Sequence, residues 1–373
     1  MAVKKSRASS ARVGNRALKH EQIKRIIREA IVSGELRPGD CIPSQNVMKA
    51  RYGVSHNTVR EAIGSLEHEG LLYRIQGKGT YVADRKPPLR TLALVFPHLF
   101  LQSARESIVG YEVIGPLVAA IEDEARKNNA TIVLRLDQDR PEIERENLLG
   151  LLDQQVDGAI VFHLREDANV DCLRKIQESG LPLVLIDRYH EQVDSDYVVS
   201  DNQLGARKMV RRLAEIGFDR VFYLTREPVS STTRNRLQGA ASTAAELGLS
   251  FELMAIDISD PSAQPLPEAG YEAARERLVE AERPFAVFAA NSSLLTGAYW
   301  ALRELRIAGR DVALACFDEI PPEIPSGFTL LKAVQPLDEI GRTGVRIIME
   351  RLRGDCTTKR IVLEPEIRLV EDR

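Results

Sequence analysis

From Thr91 onward, short β-branched and apolar runs alternate with segments of helical spacing, and this alternation limits the possible folds more than any other feature. The predicted strands are Leu92–Phe96, Thr131–Leu136, Gly158–Phe162, Leu183–Asp187, Tyr197–Ser200, Arg220–Leu224, Ala286–Ala289 and Val312–Phe317. Helical patterns fall between or beyond them, around Gly110–Lys127, Arg140–Asp153, Leu173–Ser179, Leu204–Ile216, Asn235–Leu247, Tyr271–Glu280, Leu294–Leu305 and Glu339–Leu352. Parallel strands need crossover connections, usually helical, so such a pattern implies parallel sheets covered by helices on both faces. About 280 residues suffice for two such sheets, with a ligand cleft at the carboxyl ends of the strands. The first 90 residues do not share the alternation, and 373 residues exceed one typical core, so a second, smaller domain is expected at the front.

Charge separates the two parts. Residues 1–90 hold 18 Lys/Arg against 8 Asp/Glu, whereas the rest hold 33 against 46, beneath a net charge of only -3. A basic head on an acidic body implies that the head meets a polyanion. Met1–Asn15 has almost no apolar content and reads as a basic disordered arm. Beyond it, Ile23, Ile26, Ile27, Ala30 and Ile31 mark a first helix over about Leu18–Ser33. Ser44 caps a short second helix ending at Gly53, and Ser55 caps a third that runs to about Glu69, which together make a helix-turn-helix. On the third helix Val59, Ala62, Ile63 and Leu66 share one face, while His56, Asn57, Arg60 and Gly64 share the other and are free to enter a DNA groove. Two short strands, Leu71–Ile75 and Thr80–Ala83, flank Gln76-Gly77-Lys78-Gly79, a glycine-rich wing with a lysine near its tip.

The run GDCIPSQNVMKARYGVSHNTVREAIGSLEHEGLLYRIQGKGTYV resembles the winged helix-turn-helix of the GntR family over its whole length. The resemblance places DNA contacts at Ser44, Ser55, Thr58 and Arg60 and, in the wing, at Gln76, Gly77 and Lys78, with His56 and Asn57 beside them on the exposed face. Two positions depart from the family: Asn46 and His56 stand where arginine is common, which alters the expected operator sequence. In the larger part, PLVLIDR, VVSDNQLGARKMVRRLAEIGFDRVFYL, RLQGAASTAAELGL, FAVFAANSSLLTGAYWALRELRI, VALACFDEI and VQPLDEIGRTGVRIIMERLRG resemble successive signatures of the LacI/GalR sensing domain, a relative of periplasmic sugar-binding proteins. A GntR-type head on a LacI-type body is the arrangement of AraR-like repressors.

The fold implied is α/β: a winged helix-turn-helix followed by a two-lobed, periplasmic-binding-protein-like domain of type I. Its expected boundaries are an arm at 1–15, a head at 16–83, a linker at 84–90 and a sensing and dimerisation domain at 91–373. Lobe 1 is drawn at about 91–200 and 335–356, and lobe 2 at about 201–334 and 357–373. The resemblance assigns effector binding to Asp187, Arg236, Asn291, Asp318 and Gln335, whose carboxylate, guanidinium and amide groups each suit a pair of adjacent hydroxyls. The family usually has Asn-Asp where this chain has Asn291-Ser292. Phe96, Phe162 and Tyr189, at strand ends, are the candidates for stacking on a ligand, whereas the spacing of Trp300 reads as core; Pro97–Val109 could form a lid.

No apolar run approaches the roughly 18 residues of a membrane span, nor is there a signal-like segment, so a cytoplasmic protein without a membrane partner is expected. Four scattered cysteines and six dispersed histidines provide neither metal-ligand spacing nor a known catalytic motif; no metal, cofactor or catalytic residue is expected. His98, His163 and His190, near predicted strand ends, read as lining or solvated residues. The partners expected are double-stranded operator DNA, a sugar-like small-molecule effector that releases the DNA, and a second copy of the chain in a homodimer. The alternatives are a non-sugar effector, a large domain that only dimerises, or a solute-binding receptor.

Overall fold

A computed structural model describes residues 20–83, 89–97, 108–138, 140–166, 168–226, 230–256 and 265–370. The expected arm, most of the 84–90 linker and most of the Pro97–Val109 segment, with His98, lie outside the described residues. The chain divides into two compact units, Met1–Leu89 and Arg90–Arg373.

The smaller unit contains α1 (residues 20–32), α2 (Gln45–Tyr52), α3 (His56–His68) and the hairpin β1 (Leu72–Ile75) with β2 (Gly79–Val82). Ser44 and Ser55 are the N-caps, each accepting the backbone N–H three residues on, and α2 stops at Gly53, which takes the left-handed conformation at φ 62°. Ile23 and Ile27 of α1, Met48 of α2, and Val59, Ala62, Ile63 and Leu66 of α3 close on Leu72 and Val82 of the wing to form one core. Alpha helix α1 is also tied to the end of α3: Lys24 and Arg28 reach the Glu69 carboxylate at 3.0 and 2.6 Å. Burial acts to raise the Glu69 pKa, but the hydrogen bonds from Lys24 and Arg28 outweigh it, so the carboxyl lies below its ordinary value of 4.5. A depressed folded-state pKa contributes stability above the unfolded pKa and loses it as pH falls through the folded value. Glu69→Gln is therefore expected to lower the head's stability at neutral pH and to flatten its acid dependence below about pH 4, as read by melting at a series of pH values.

The larger unit has two six-stranded sheets. The first runs in the order β13 (Arg360–Leu363), β7 (Asp196–Ser200), β6 (Leu183–Ile186), β5 (Gly158–Val161), β3 (Arg90–Phe96), β4 (Ala130–Leu136), with every pair parallel. The second runs β14 (Glu366–Leu369), β12 (Thr329–Val334), β11 (Val312–Phe317), β10 (Phe285–Ala289), β8 (Arg220–Arg226), β9 (Ser250–Ile256), parallel except for the β12–β14 pair. Helices bury both faces of the first sheet in two separate cores, while a single large core encloses the second. The chain crosses between sheets three times: after β7, after β12, and between β13 and β14.

The third crossing corrects the lobe boundary. Residues 360–363 were assigned to lobe 2, but β13 pairs with β7 and completes the first sheet. Strands β9, β12, β13 and β14 were not read from sequence. Lys332 interrupts β12, charged residues open β13 and β14, and β9, β13 and β14 are sheet edges, where one side of each strand stays polar. Trp300 is a second correction: it is 36% exposed, on the outward side of helix Ser292–Glu304, whose inward face is Leu294, Leu295, Ala298, Ala301 and Leu302.

Helix Ser292–Glu304 lies so close to helix Leu266–Leu278 that a Cβ on Gly297 would come 2.1 Å from the Pro267 carbonyl and 2.6 Å from the Tyr271 nitrogen. Both atoms belong to backbone and cannot swing aside. Gly297→Ala is therefore expected to destabilise the larger unit by about 3 kcal/mol in denaturant titrations.

Candidate functional site

The exposed side of α3 carries His56, Asn57 and Arg60, preceded by Ser55, and the hairpin turn presents Gln76, Gly77 and Lys78 to solvent, as α2 presents Ser44, Asn46 and Lys49. Gly77, at φ 77°, and the Lys78 N–H to Ile75 carbonyl bond of 3.0 Å shape this turn. Among the described residues, no ion-pair partner meets Lys49, Arg60 or Lys78, in contrast to Lys24 and Arg28, which are held by Glu69. Unpaired cations on exposed helix faces and on a wing suit phosphates and base edges. Thr58 departs from the reading of the sequence. It is only 3% exposed, and its hydroxyl meets the Ser55 hydroxyl at 2.8 Å, so it turns into the module instead of toward a groove. Its β-branched body fills the junction beneath the cap.

In the larger unit, the five residues assigned to effector binding, with the stacking candidate Phe162, meet at the carboxyl ends of the parallel strands. Asp187 follows β6 and Asp318 follows β11, both in the left-handed region at φ 67° and 71°. Asn291 follows β10 and caps helix Ser292–Glu304 by accepting the Leu294 N–H at 3.0 Å. Gln335 follows β12, and its amide donates to Asp318 Oδ1 at 2.6 Å. Phe162 follows β5, with Arg188 4.8 Å from its ring centre.

Arg236 is the centre of the cluster. Helix Ser231–Leu247 carries it inward to 4% exposure, where Nε donates to Asn202 Oδ1 at 2.7 Å and Nη1 to the Ala290 carbonyl at 2.6 Å. Its guanidinium lies 3.8 Å from the centre of the Phe317 ring. Burial lowers the Arg236 pKa, while Asp318 and Asp187 act in the opposite direction. Burial likewise raises the Asp318 carboxyl, opposed by Arg236 and by the Gln335 hydrogen bond. Asp318 keeps partial solvent contact although protein surrounds it. Arg188 pairs with the Asp187 carboxylate at 3.1 Å through both Nε and Nη2. Two carboxylates and two guanidiniums thus balance one another at the strand ends. Planar, charged groups of this kind form paired hydrogen bonds with hydroxyls that donate and accept together.

Asn202 and Arg188 were not identified from sequence. Asn202 is buried at the start of helix Asn202–Glu215, where its own amide is fixed on the Ser200 carbonyl at 3.1 Å. No local pattern marks it, because its partner lies 34 residues away. Arg188 adjoins Asp187 in the segment LIDR and could have been read from it. Of the stacking candidates, Phe96 and Phe162 are only 1% and 3% exposed and pack edge-on against each other, so neither ring offers an open face, and Tyr189 is stacked on Tyr197. His163 and His190 are neither lining nor solvated: both are buried, His163 beside Glu144 at 2.8 Å and His190 against the Glu166 carbonyl.

Residues 19–82 match the bacterial regulatory proteins of the gntR family, and residues 210–372 match the periplasmic binding protein-like domain. An arabinose metabolism transcriptional repressor of Halalkalibacterium halodurans is 24% identical over 371 residues, covering 94% of this chain and 95% of that protein. The HTH-type transcriptional regulator CelR of Thermobifida fusca is 31% identical over 242 residues, covering 62% of this chain and 68% of that protein. The solved complex of the regulator CelR with cellobiose has the same fold, with a TM-score of 0.62 at 23% identity over 88% of this chain and 98% of that one. The chain belongs to the HTH-type bacterial transcriptional regulators, a DNA-binding protein that joins a gntR-type head to a periplasmic binding protein-like domain.

Proposed function

We propose that this regulator represses carbohydrate-utilisation genes in the cytoplasm and is released from its operator by an uncharged, sugar-like effector bound between the two sheets of the larger unit. The observation that carries this reading is the convergence of Asp187, Arg236 and Asp318 into one electrostatically coupled cluster at the strand ends. Asn291 and Gln335 complete the lining. The relatives named for arabinose metabolism, and the CelR complex with cellobiose, support a saccharide over other polar metabolites.

On the DNA side, Ser55, His56, Asn57 and Arg60 enter the major groove, with Ser44 and the wing residues Gln76, Gly77 and Lys78 on the backbone. Thr58 positions Ser55 and does not itself contact bases. Two heads of a homodimer read the half-sites of a pseudo-palindromic operator. The chain acts through these two binding events and not as a catalyst.

The test is a thermal-shift panel on the full chain with arabinose, cellobiose and related neutral and phosphorylated sugars, followed by a gel shift. A ligand at a hundred times its Kd stabilises the protein by about 2.7 kcal/mol, enough for a clear rise in melting temperature. The same sugar should release operator DNA. A panel in which no member shifts the melting temperature would leave the larger unit with dimerisation alone.

A further inference from the structure

Beside the effector cluster, the two lobes are joined by a second set of contacts that no effector contact requires. Helix Ser231–Leu247, which belongs to the second sheet, begins with a capping box in which Ser230 and Thr233 satisfy each other. The N–H of Ser231 remains one of the free donors of the first turn. It is met from the other lobe, where the Glu166 carboxylate accepts it through Oε1. The second oxygen, Oε2, accepts from Arg234 Nη1 at 3.1 Å, and Arg234 Nη2 reaches Glu191 at 3.3 Å. The Ser231 hydroxyl accepts the Tyr189 N–H at 3.2 Å, and Asn235 donates to the Tyr189 hydroxyl at 3.4 Å.

Two side chains of the same lobe hold the backbone that carries Glu166. The Gln192 N–H donates to His190 Nδ1 at 3.0 Å, which leaves the ring proton on Nε2 to donate to the Glu166 carbonyl. Arg188 Nη1 holds the Leu164 carbonyl at 2.8 Å on the same segment. A fixed carboxylate facing a helix N-terminus and an arginine has complementary charge on two counts. The contact shares its elements with the effector cluster: Tyr189 lies two residues beyond Asp187, and Arg234 two before Arg236.

We propose that Glu166 is an interlobe latch, which holds the two lobes against each other through Ser231 and Arg234. It is a positioning residue and touches no effector. A contact already made between the lobes removes part of the conformational cost of binding between them, so the latch raises effector affinity. Only this effect on affinity rests on the cleft reading; the latch itself acts without a ligand.

Hydrogen exchange on the effector-free, full-length protein tests it. The amides of Ser231 and Tyr189 are protected only by contacts between the lobes, so Glu166→Ala is expected to speed exchange of segments 187–192 and 230–235 about tenfold. Exchange in the central strands of both sheets should stay unchanged. Arg234→Ala, which also loses the Glu191 contact, should act in the same direction. Unaltered exchange in those two segments, or an increase spread evenly through both lobes, would overturn the latch. If Glu166→Ala does not fold, Glu166→Gln, which keeps the shape and loses the charge, decides the question together with Arg234→Ala. Should the sugar panel identify an effector, its Kd is expected to rise severalfold in each variant. A panel without a binder would sink the cleft reading and leave the exchange result to judge the latch.

Discussion

Arg236→Ala is expected to abolish the response to effector and leave operator binding in place. The side chain is the meeting point of Asn202, the Ala290 carbonyl and the Phe317 ring, and it offsets the charge of Asp187 and Asp318. Truncation leaves those partners unmatched in a buried setting, at a cost of about 1–3 kcal/mol for each orphaned group. The larger unit should therefore melt at a lower temperature, and no sugar should raise that temperature. Because the head has its own core and forms a separate compact unit, the gel shift should persist and become insensitive to added effector. Arg236→Lys separates charge from shape: it keeps a cation near the two carboxylates but cannot bridge Asn202 and Ala290 at once. Recovery of stability without recovery of the effector response would show that the planar fork is what binds. A normal effector response in the alanine variant would remove Arg236 from the site.

Arg60→Ala should weaken operator binding about tenfold to a hundredfold at fixed salt, the loss of about 1–3 kcal/mol expected for a guanidinium paired with a base edge. The residue is exposed on α3 and has no ion-pair partner among the described residues, so its removal should leave the melting temperature unchanged. Lys78→Ala offers a contrast in kind. A phosphate contact carries no sequence information, so this variant should weaken binding evenly across sequences and reduce the slope of log affinity against log salt by about one. If Arg60→Ala behaves in that second way, Arg60 lies on the backbone and not in the groove. An unchanged gel shift would refute the assignment of α3 as the recognition helix.

The head was legible almost residue by residue. Its caps, Ser44 and Ser55, its stop at Gly53 and the alternate faces of α3 are local features, decided by interactions three or four residues apart. Thr58 was misread because helical spacing alone leaves it at the margin of the buried face, and only the packing of the cap junction turns it inward. In the larger unit the central strands β3, β5, β6, β8, β10 and β11 stood out, since parallel strands buried on both faces appear as continuous apolar runs. Strands β9, β12, β13 and β14 did not, because charged residues break their short apolar runs; the edge strand β4, with a longer apolar run, did.

Sequence by itself determined the two-part organisation, the exposed side of α3 and the chemical types that meet at the strand ends of the larger unit. These follow from periodicity, charge and motif, all of which are properties of neighbouring residues. Tertiary structure alone decided which lobe receives β13, that Asn202 orients Arg236, that Trp300 faces outward, and that Glu166 reaches the start of the helix bearing Arg236. Each of these pairs residues between 34 and 163 positions apart along the chain, or depends on which face of a helix the rest of the molecule covers. No local pattern encodes such a meeting, because its energy comes from burial and charge pairing that exist only once the sheets have formed.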